Sequence, residues 1–158
     1  MVSRGGETYG YDAIGNCTSY RGTTLTWHRG SRLQKFGQDA TYRYDNQGVR
    51  FEKVAGGVVT HFLRDGAKLV DELRDNTRIR YLYDAEEMIG FYCNGNYYYY
   101  VKDGLGNVRS VLRAEKILAA DGDFYFAVSE VARYDYDAWG NCTATPVGDA
   151  GIFGVSVA

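Results

Sequence analysis

Tyr136-Asp137-Ala138-Trp139-Gly140-Asn141 decides how this chain folds, because its spelling returns three more times. Tyr11-Asp12-Ala13-Ile14-Gly15-Asn16, Tyr44-Asp45-Asn46-Gln47-Gly48-Val49 and Lys102-Asp103-Gly104-Leu105-Gly106-Asn107 all obey Asp-x-x-Gly. Asp at the first turn position accepts a hydrogen bond from a backbone N–H two residues on. Gly three residues later takes φ > 0 at little steric cost, as a hairpin loop with a left-handed residue requires. Tyr before the Asp ends a strand, its ring covering the sheet and its hydroxyl expected toward solvent. Each hexamer reads as a hairpin tip with its strand anchor. A degraded fifth copy, Tyr83-Asp84-Ala85-Glu86-Glu87-Met88, has its Gly displaced to Gly90. From Asp to Asp the intervals are 33, 39, 19 and 34, so the repeated object is a local turn between variable hairpins rather than a solenoid coil.

Between the turns the chain reads as strands. Thr23-Thr24-Leu25-Thr26-Trp27, Thr41-Tyr42-Arg43-Tyr44 and Arg78-Ile79-Arg80-Tyr81-Leu82-Tyr83 alternate, and residues 58–63 are a short run of strand formers. Gly56-Gly57, Asp75-Asn76 and Asn94-Gly95 signal further hairpins. Residues 111–120 form the one window whose propensity tolerates a helical turn. The expectation is an all-β chain of consecutive antiparallel hairpins, with no linker dividing it.

Composition narrows the classes. Of 158 residues 15 are Tyr and 20 Gly, against a single Pro, Pro146, which excludes a collagen-like or Pro-rich chain. With 45% hydrophobic residues and a net charge of −2, the chain has too much apolar material for intrinsic disorder. No apolar run approaches the ~18 residues of a membrane span, and neither a signal peptide nor an anchor is expected. Balanced charge gives no basic field for a phosphate backbone, so nucleic acid is not expected as a partner. Cys17, Cys93 and Cys142 are odd in number and lack Cys-x-x-Cys spacing, and read as small strand hydrophobes rather than a metal site.

The residues offer little chemistry. His28 and His61 lie in no catalytic motif, and no Gly-x-Ser-x-Gly elbow is present. Gly104-Leu105-Gly106 lacks a third Gly and a following helix, so it reads as a turn and not as a phosphate loop. Asp121-Gly122-Asp123 and Asp45-Asn46-Gln47-Gly48 do not supply a calcium ligand set. Neither cofactor nor metal is expected. The four tyrosines 97–100 must alternate between two faces of a strand, so at most two share a surface. Tyr98 and Tyr100 are the pair expected to face a ligand, a glycan being the aromatic-stacking candidate.

The Tyr-Asp-x-x-Gly turns resemble the YD repeats of Rhs proteins, in particular the C-terminal part of the Rhs core of Gram-positive members. Tyr42-Arg43-Tyr44-Asp45, Arg80-Tyr81-Leu82-Tyr83-Asp84, the run from Asn94-Gly95 to Lys102-Asp103, and Arg133-Tyr134-Asp135-Tyr136-Asp137-Ala138-Trp139-Gly140-Asn141 carry the resemblance. It implies a ribbon of hairpins wound into a hollow shell around a variable toxin domain, in proteins often secreted or displayed at the cell surface. The chain departs from the family in two places. Residues 114–131 are longer than the usual connector, with Gly122 marking the old turn. After Thr145 the family's core-closing segment, self-cleavage sequence and toxin domain are not matched, so a truncated fragment or detached cassette is expected.

These readings assign residues 1–145 to a YD-repeat hairpin domain and 146–158 to a divergent tail. The turn residues expected to matter structurally are Tyr11, Asp12, Gly15, Asn16, Tyr44, Asp45, Gly48, Tyr83, Asp84, Asp103, Gly106, Asn107, Tyr136, Asp137, Gly140 and Asn141. The expected function is that of a shell segment without catalysis, enclosing or displaying a polypeptide, and the alternative is a surface glycan-binding module. Expected partners are the rest of a shell, an enclosed toxin polypeptide, a glycan, or a second copy met through exposed edge strands.

Overall fold

Strand formers separated by turn residues at short intervals leave the backbone one way to satisfy its N–H and C=O groups, which is pairing with the next strand in sequence. The computed structural model describes residues 2–4 and 7–147 and does this throughout. It divides after Arg78 into two units. The first holds β1 (Val2–Arg4), β2 (Glu7–Tyr11), β3 (Cys17–Tyr20), β4 (Thr23–His28), β5 (Arg32–Phe36), β6 (Ala40–Tyr44), β7 (Arg50–Ala55), β8 (Val58–Asp65) and β9 (Lys68–Arg74). Each of these pairs antiparallel with its successor from β1 to β9.

The second unit takes most of β10 (Thr77–Asp84), then β11 (Glu87–Cys93), β12 (Asn96–Lys102), β13 (Val108–Leu118), β14 (Phe124–Tyr136) and β15 (Cys142–Pro146). Its ladder is likewise antiparallel and sequential. The chain is therefore all-β, a succession of antiparallel hairpins, as its alternation and turns predict. No helix among the described residues is long and apolar enough to cross a membrane. Of the tail expected over 146–158, residues 148–158 lie outside the described residues.

One window is settled and one turn is corrected. The window 111–120 is mostly strand, within β13, because it pairs with β12 on one side and β14 on the other. Ladder hydrogen bonds and burial of Val111 and Ala114 override the helix propensity of its Ala, Glu and Lys residues. The Asp84 copy is not an Asp-x-x-Gly turn. Asp84 pairs with Glu87 across a two-residue loop in which Ala85 has φ +49°. Gly90 instead sits inside β11, opposite Leu82, beside a bulge whose extra residue is Ile89. A Cβ at Gly90 would lie 2.0 Å from the carbonyl oxygen of Tyr98, so a close backbone approach, not a turn, requires this glycine.

The second unit has an aromatic core. Phe91, Cys93, Tyr98, Val111, Val131 and Ala132 are buried together, with Ile79, Tyr81, Tyr100, Val108 and Tyr134 packed against them. Phe91 and Tyr98 are directly paired across β11 and β12, and their rings stack at 4.7 Å with 10° between planes. In the first unit the buried side chains among the described residues are Ala40, Thr60, Asp71 and Glu72. The two carboxylates are held by Arg78 and Arg74 respectively.

Candidate functional site

The four Asp-x-x-Gly copies fold into one geometry. In each, the Asp N–H donates to the carbonyl four residues on, at 2.9–3.0 Å, and the Gly N–H returns to the Asp carbonyl at 3.0–3.2 Å. One carboxylate oxygen of Asp12 accepts from the N–H groups of Ile14 and Asn16. Asp45 does the same for Gln47 and Val49, Asp103 for Leu105 and Asn107, and Asp137 for Trp139 and Asn141. Gly15, Gly48, Gly106 and Gly140 all have φ between +81° and +91°. The fifth residue explains the recurring Asn. The amides of Asn16, Asn107 and Asn141 donate to the second Asp oxygen at 2.8, 3.1 and 2.6 Å.

These donors stabilise the ionised carboxylates. The Asn107 amide and the Asn141 amide, the largest influences on Asp103 and Asp137, hold both below the ordinary aspartate range. Asp12 is lowered too. Residues 119–123 form the same turn without the Asp. Ala119 N–H donates to the Asp123 carbonyl at 2.8 Å, Gly122 N–H to the Ala119 carbonyl at 3.1 Å, and Gly122 has φ +89°. Gly122 was the signal for this turn, and the backbone form outlasts the loss of its carboxylate.

Two of the strand-ending tyrosines depart from expectation. The hydroxyl of Tyr44 donates to the Leu33 carbonyl at 3.0 Å, and that of Tyr136 to the Val108 carbonyl at 3.1 Å. Each ties its turn to the neighbouring strand rather than facing water. An arginine lies over each ring, Arg50 over Tyr44 and Arg109 over Tyr136. Tyr11 is exposed, and Tyr83 is half-buried in β10.

The tyrosine run alternates as a strand must, but the expected ligand-facing pair occupies the inner face. Tyr98 is 0% exposed and Tyr100 is half-buried against Phe91, 5.9 Å between centroids. A ligand has no access to Tyr98, because pairing with Phe91 puts its ring in the core, and burial pushes its phenol pKa up. Tyr97 and Tyr99 take the other face and are exposed together with Tyr92, whose ring lies 5.0 Å from that of Tyr97. Alternation alone gave the two pairs without saying which was inward.

Tertiary structure also assembles a groove of about 320 Å³ that sequence reasoning missed. His28, Arg29 and Arg32 from the β4–β5 hairpin meet Tyr42, Tyr44 and Asn46 from β6 and its turn. Arg43, also at the groove, is paired with Glu52 at 3.2 Å. The Arg32 guanidinium lies on Gly48, where a Cβ would come within 2.3 Å of it. The lining is mixed in charge, with Arg29 and Arg32 beside the Asp45 carboxylate. His61 stands 3.7 Å from Glu52 on the exposed side of β8. Cys17 is half-buried, Cys93 buried and Cys142 exposed, all as free thiols. Among the described residues no three His, Cys, Asp or Glu side chains are placed to hold a metal ion.

No protein-family model matches the chain. Curated relatives do. The chain is 32% identical over 154 residues to the tRNA3(Ser)-specific nuclease WapA of Bacillus spizizenii, a match covering 90% of this chain and 6% of that protein. The tRNA nuclease WapA of Bacillus subtilis and the tRNA(Glu)-specific nuclease WapA of Bacillus subtilis subsp. natto match with the same identity and the same shares. The chain thus spans 6% of the length of these relatives. The expectation of a shell segment without catalysis is corrected by this finding, since the proteins the chain resembles are nucleases by name. A match over so small a share assigns their cleavage chemistry to no residue of this chain.

Proposed function

We propose that this chain is a wall segment of a larger YD-repeat polypeptide, in which consecutive hairpins enclose or display another part of the protein. The observation that carries the reading is the fourfold Asp-capped turn on a strictly sequential ladder. That is a device for extending a sheet indefinitely with the same local parts. Support comes from similarity running along 90% of the chain to proteins named as tRNA nucleases, of which it would be one short stretch. On this reading residues 1–145 act as the wall, a nuclease or other toxin portion of the longer protein is the polypeptide enclosed, and the setting is secreted or at the cell surface.

The test is a chimaera of Bacillus subtilis WapA carrying this chain in place of its matching segment. Protease resistance of the remaining protein should equal that of the parent, whereas deletion of the segment should expose new cleavage sites. A chimaera as protease-sensitive as the deletion would sink the proposal. A second reading rests on the outward aromatic face of Tyr92, Tyr97 and Tyr99, on which sugar rings could stack. It requires saturable binding of cell-wall polysaccharide that Tyr97→Ser and Tyr99→Ser abolish, and flat titrations would dismiss it.

A further inference from the structure

β13 and β14 are longer than their neighbours allow them to be used. β12 pairs with β13 only as far as Ala114, and β15 pairs with β14 only from Ala132 onward, Val147 N–H adding a bond to the Val131 carbonyl. Among the described residues, 115–118 and 124–127 therefore pair with each other alone, as a two-stranded arm, and 128–130, opposite 112–114, prolong the same open edge of β14. Leu118 and Phe124 are directly opposite, and Phe126 and Val128 follow at alternate positions on the same face. All four are between 57% and 63% exposed. Tyr125 is exposed on the other face. A lone two-stranded hairpin is marginal in water, and an apolar row bordered by an unpaired edge is a template for another strand.

We propose that a second copy of this chain pairs with the β14 edge, antiparallel, about a two-fold axis through Ala127. The register follows from the free stretch itself, since Ala127 is the midpoint of 124–130. It sets Phe126 of each copy opposite Val128 of the other, an aromatic against a β-branched side chain. Glu130, the one charged residue of the stretch, meets Phe124 and not a second carboxylate. The two arms become one four-stranded sheet, past the three-strand size at which hairpins stand alone. Lys116, whose ammonium lies 3.7 Å over the Phe124 ring, is on β13 and away from the new edge. This pairing does not depend on the wall reading.

Sedimentation equilibrium of the full chain over a wide concentration range tests it, with circular dichroism establishing that every variant folds. The wild-type chain should form a reversible dimer. Phe126→Lys and Val128→Glu should each weaken it by about tenfold or more, because each places a charge opposite an apolar partner. The double variant puts Lys opposite Glu twice and should recover most of the loss. A wild-type chain monomeric at every concentration overturns the proposal. So does a double variant weaker than either single one, since nonspecific apolar adhesion would lose on both changes and regain nothing.

Discussion

The two units are built from the same hairpin and bury different things. In the second, stacked Phe91 and Tyr98 anchor a core that Val111, Val131 and Ala132 complete. In the first, the buried side chains among the described residues are Ala40, Thr60 and the arginine-held Asp71 and Glu72. Apolar burial stabilises by roughly 25 cal/mol per Å², whereas each of these buried carboxylates pairs with a partly exposed arginine, and its desolvation offsets much of the Coulomb attraction. Sequential pairing thus sets the topology of both units, while resistance to unfolding should be concentrated in the second.

The sharpest way to break that contrast is Tyr98→Ala, expected to cost about 3–5 kcal/mol in urea denaturation by emptying the centre of the aromatic core. Ala40→Gly, at the buried hydrophobic position among the first unit's described residues, should cost no more than about 1 kcal/mol. Equal losses would mean that the core does not distinguish the units. Gly90→Ala comes next, at about 1–3 kcal/mol, since its methyl would collide with the Tyr98 backbone. Gly104→Ala, with nothing within 4 Å and no positive φ, serves as its near-silent control.

Gly140→Val should cost about 1–2 kcal/mol through its φ of +81° alone, because the space around it is open. A fully stable Gly140→Val chain would refute the turn geometry. The smallest effect is electrostatic. Asp12, Asp103 and Asp137 have folded pKa values below their unfolded ones, so their contribution is present above the ordinary aspartate range and is lost as pH falls through the folded values. Acid titration should flatten modestly in the Asp137→Ala variant. Ala119→Asp combined with Asp123→Asn, which supplies the missing amide donor, should add a similar acid-sensitive increment to a turn that lacks it, and an unchanged acid profile in both variants would show that the caps do not couple to folding.

How far the sequence could be read follows from the range of each interaction. An Asp-x-x-Gly-Asn turn is closed by donors within five residues, so Asp137, Gly140 and Asn141 announce their geometry without a third partner. The Tyr136 hydroxyl reaches Val108, 28 residues away, and no local pattern names that carbonyl. Residues 111–120 were ambiguous because propensity is local whereas strand partners on both sides are not. Gly90 misled because a glycine needed for a tight cross-strand approach is spelled like a glycine needed for a turn. The groove at His28, Arg29 and Arg32 joins two hairpins and has no linear signature at all.

Sequence by itself determined that this chain is β, where its Asp-capped turns fall, and that its four consecutive tyrosines split between two faces, since periodicity and φ preference are properties of neighbouring residues. Only the tertiary structure decided that Tyr98 faces inward and Tyr97 outward, that Arg29, Arg32 and Asn46 line one groove, and that the β13–β14 arm outruns its neighbours. Those depend on register and on which face finds other apolar side chains to pack against, and a shift of one residue would exchange every inside for an outside.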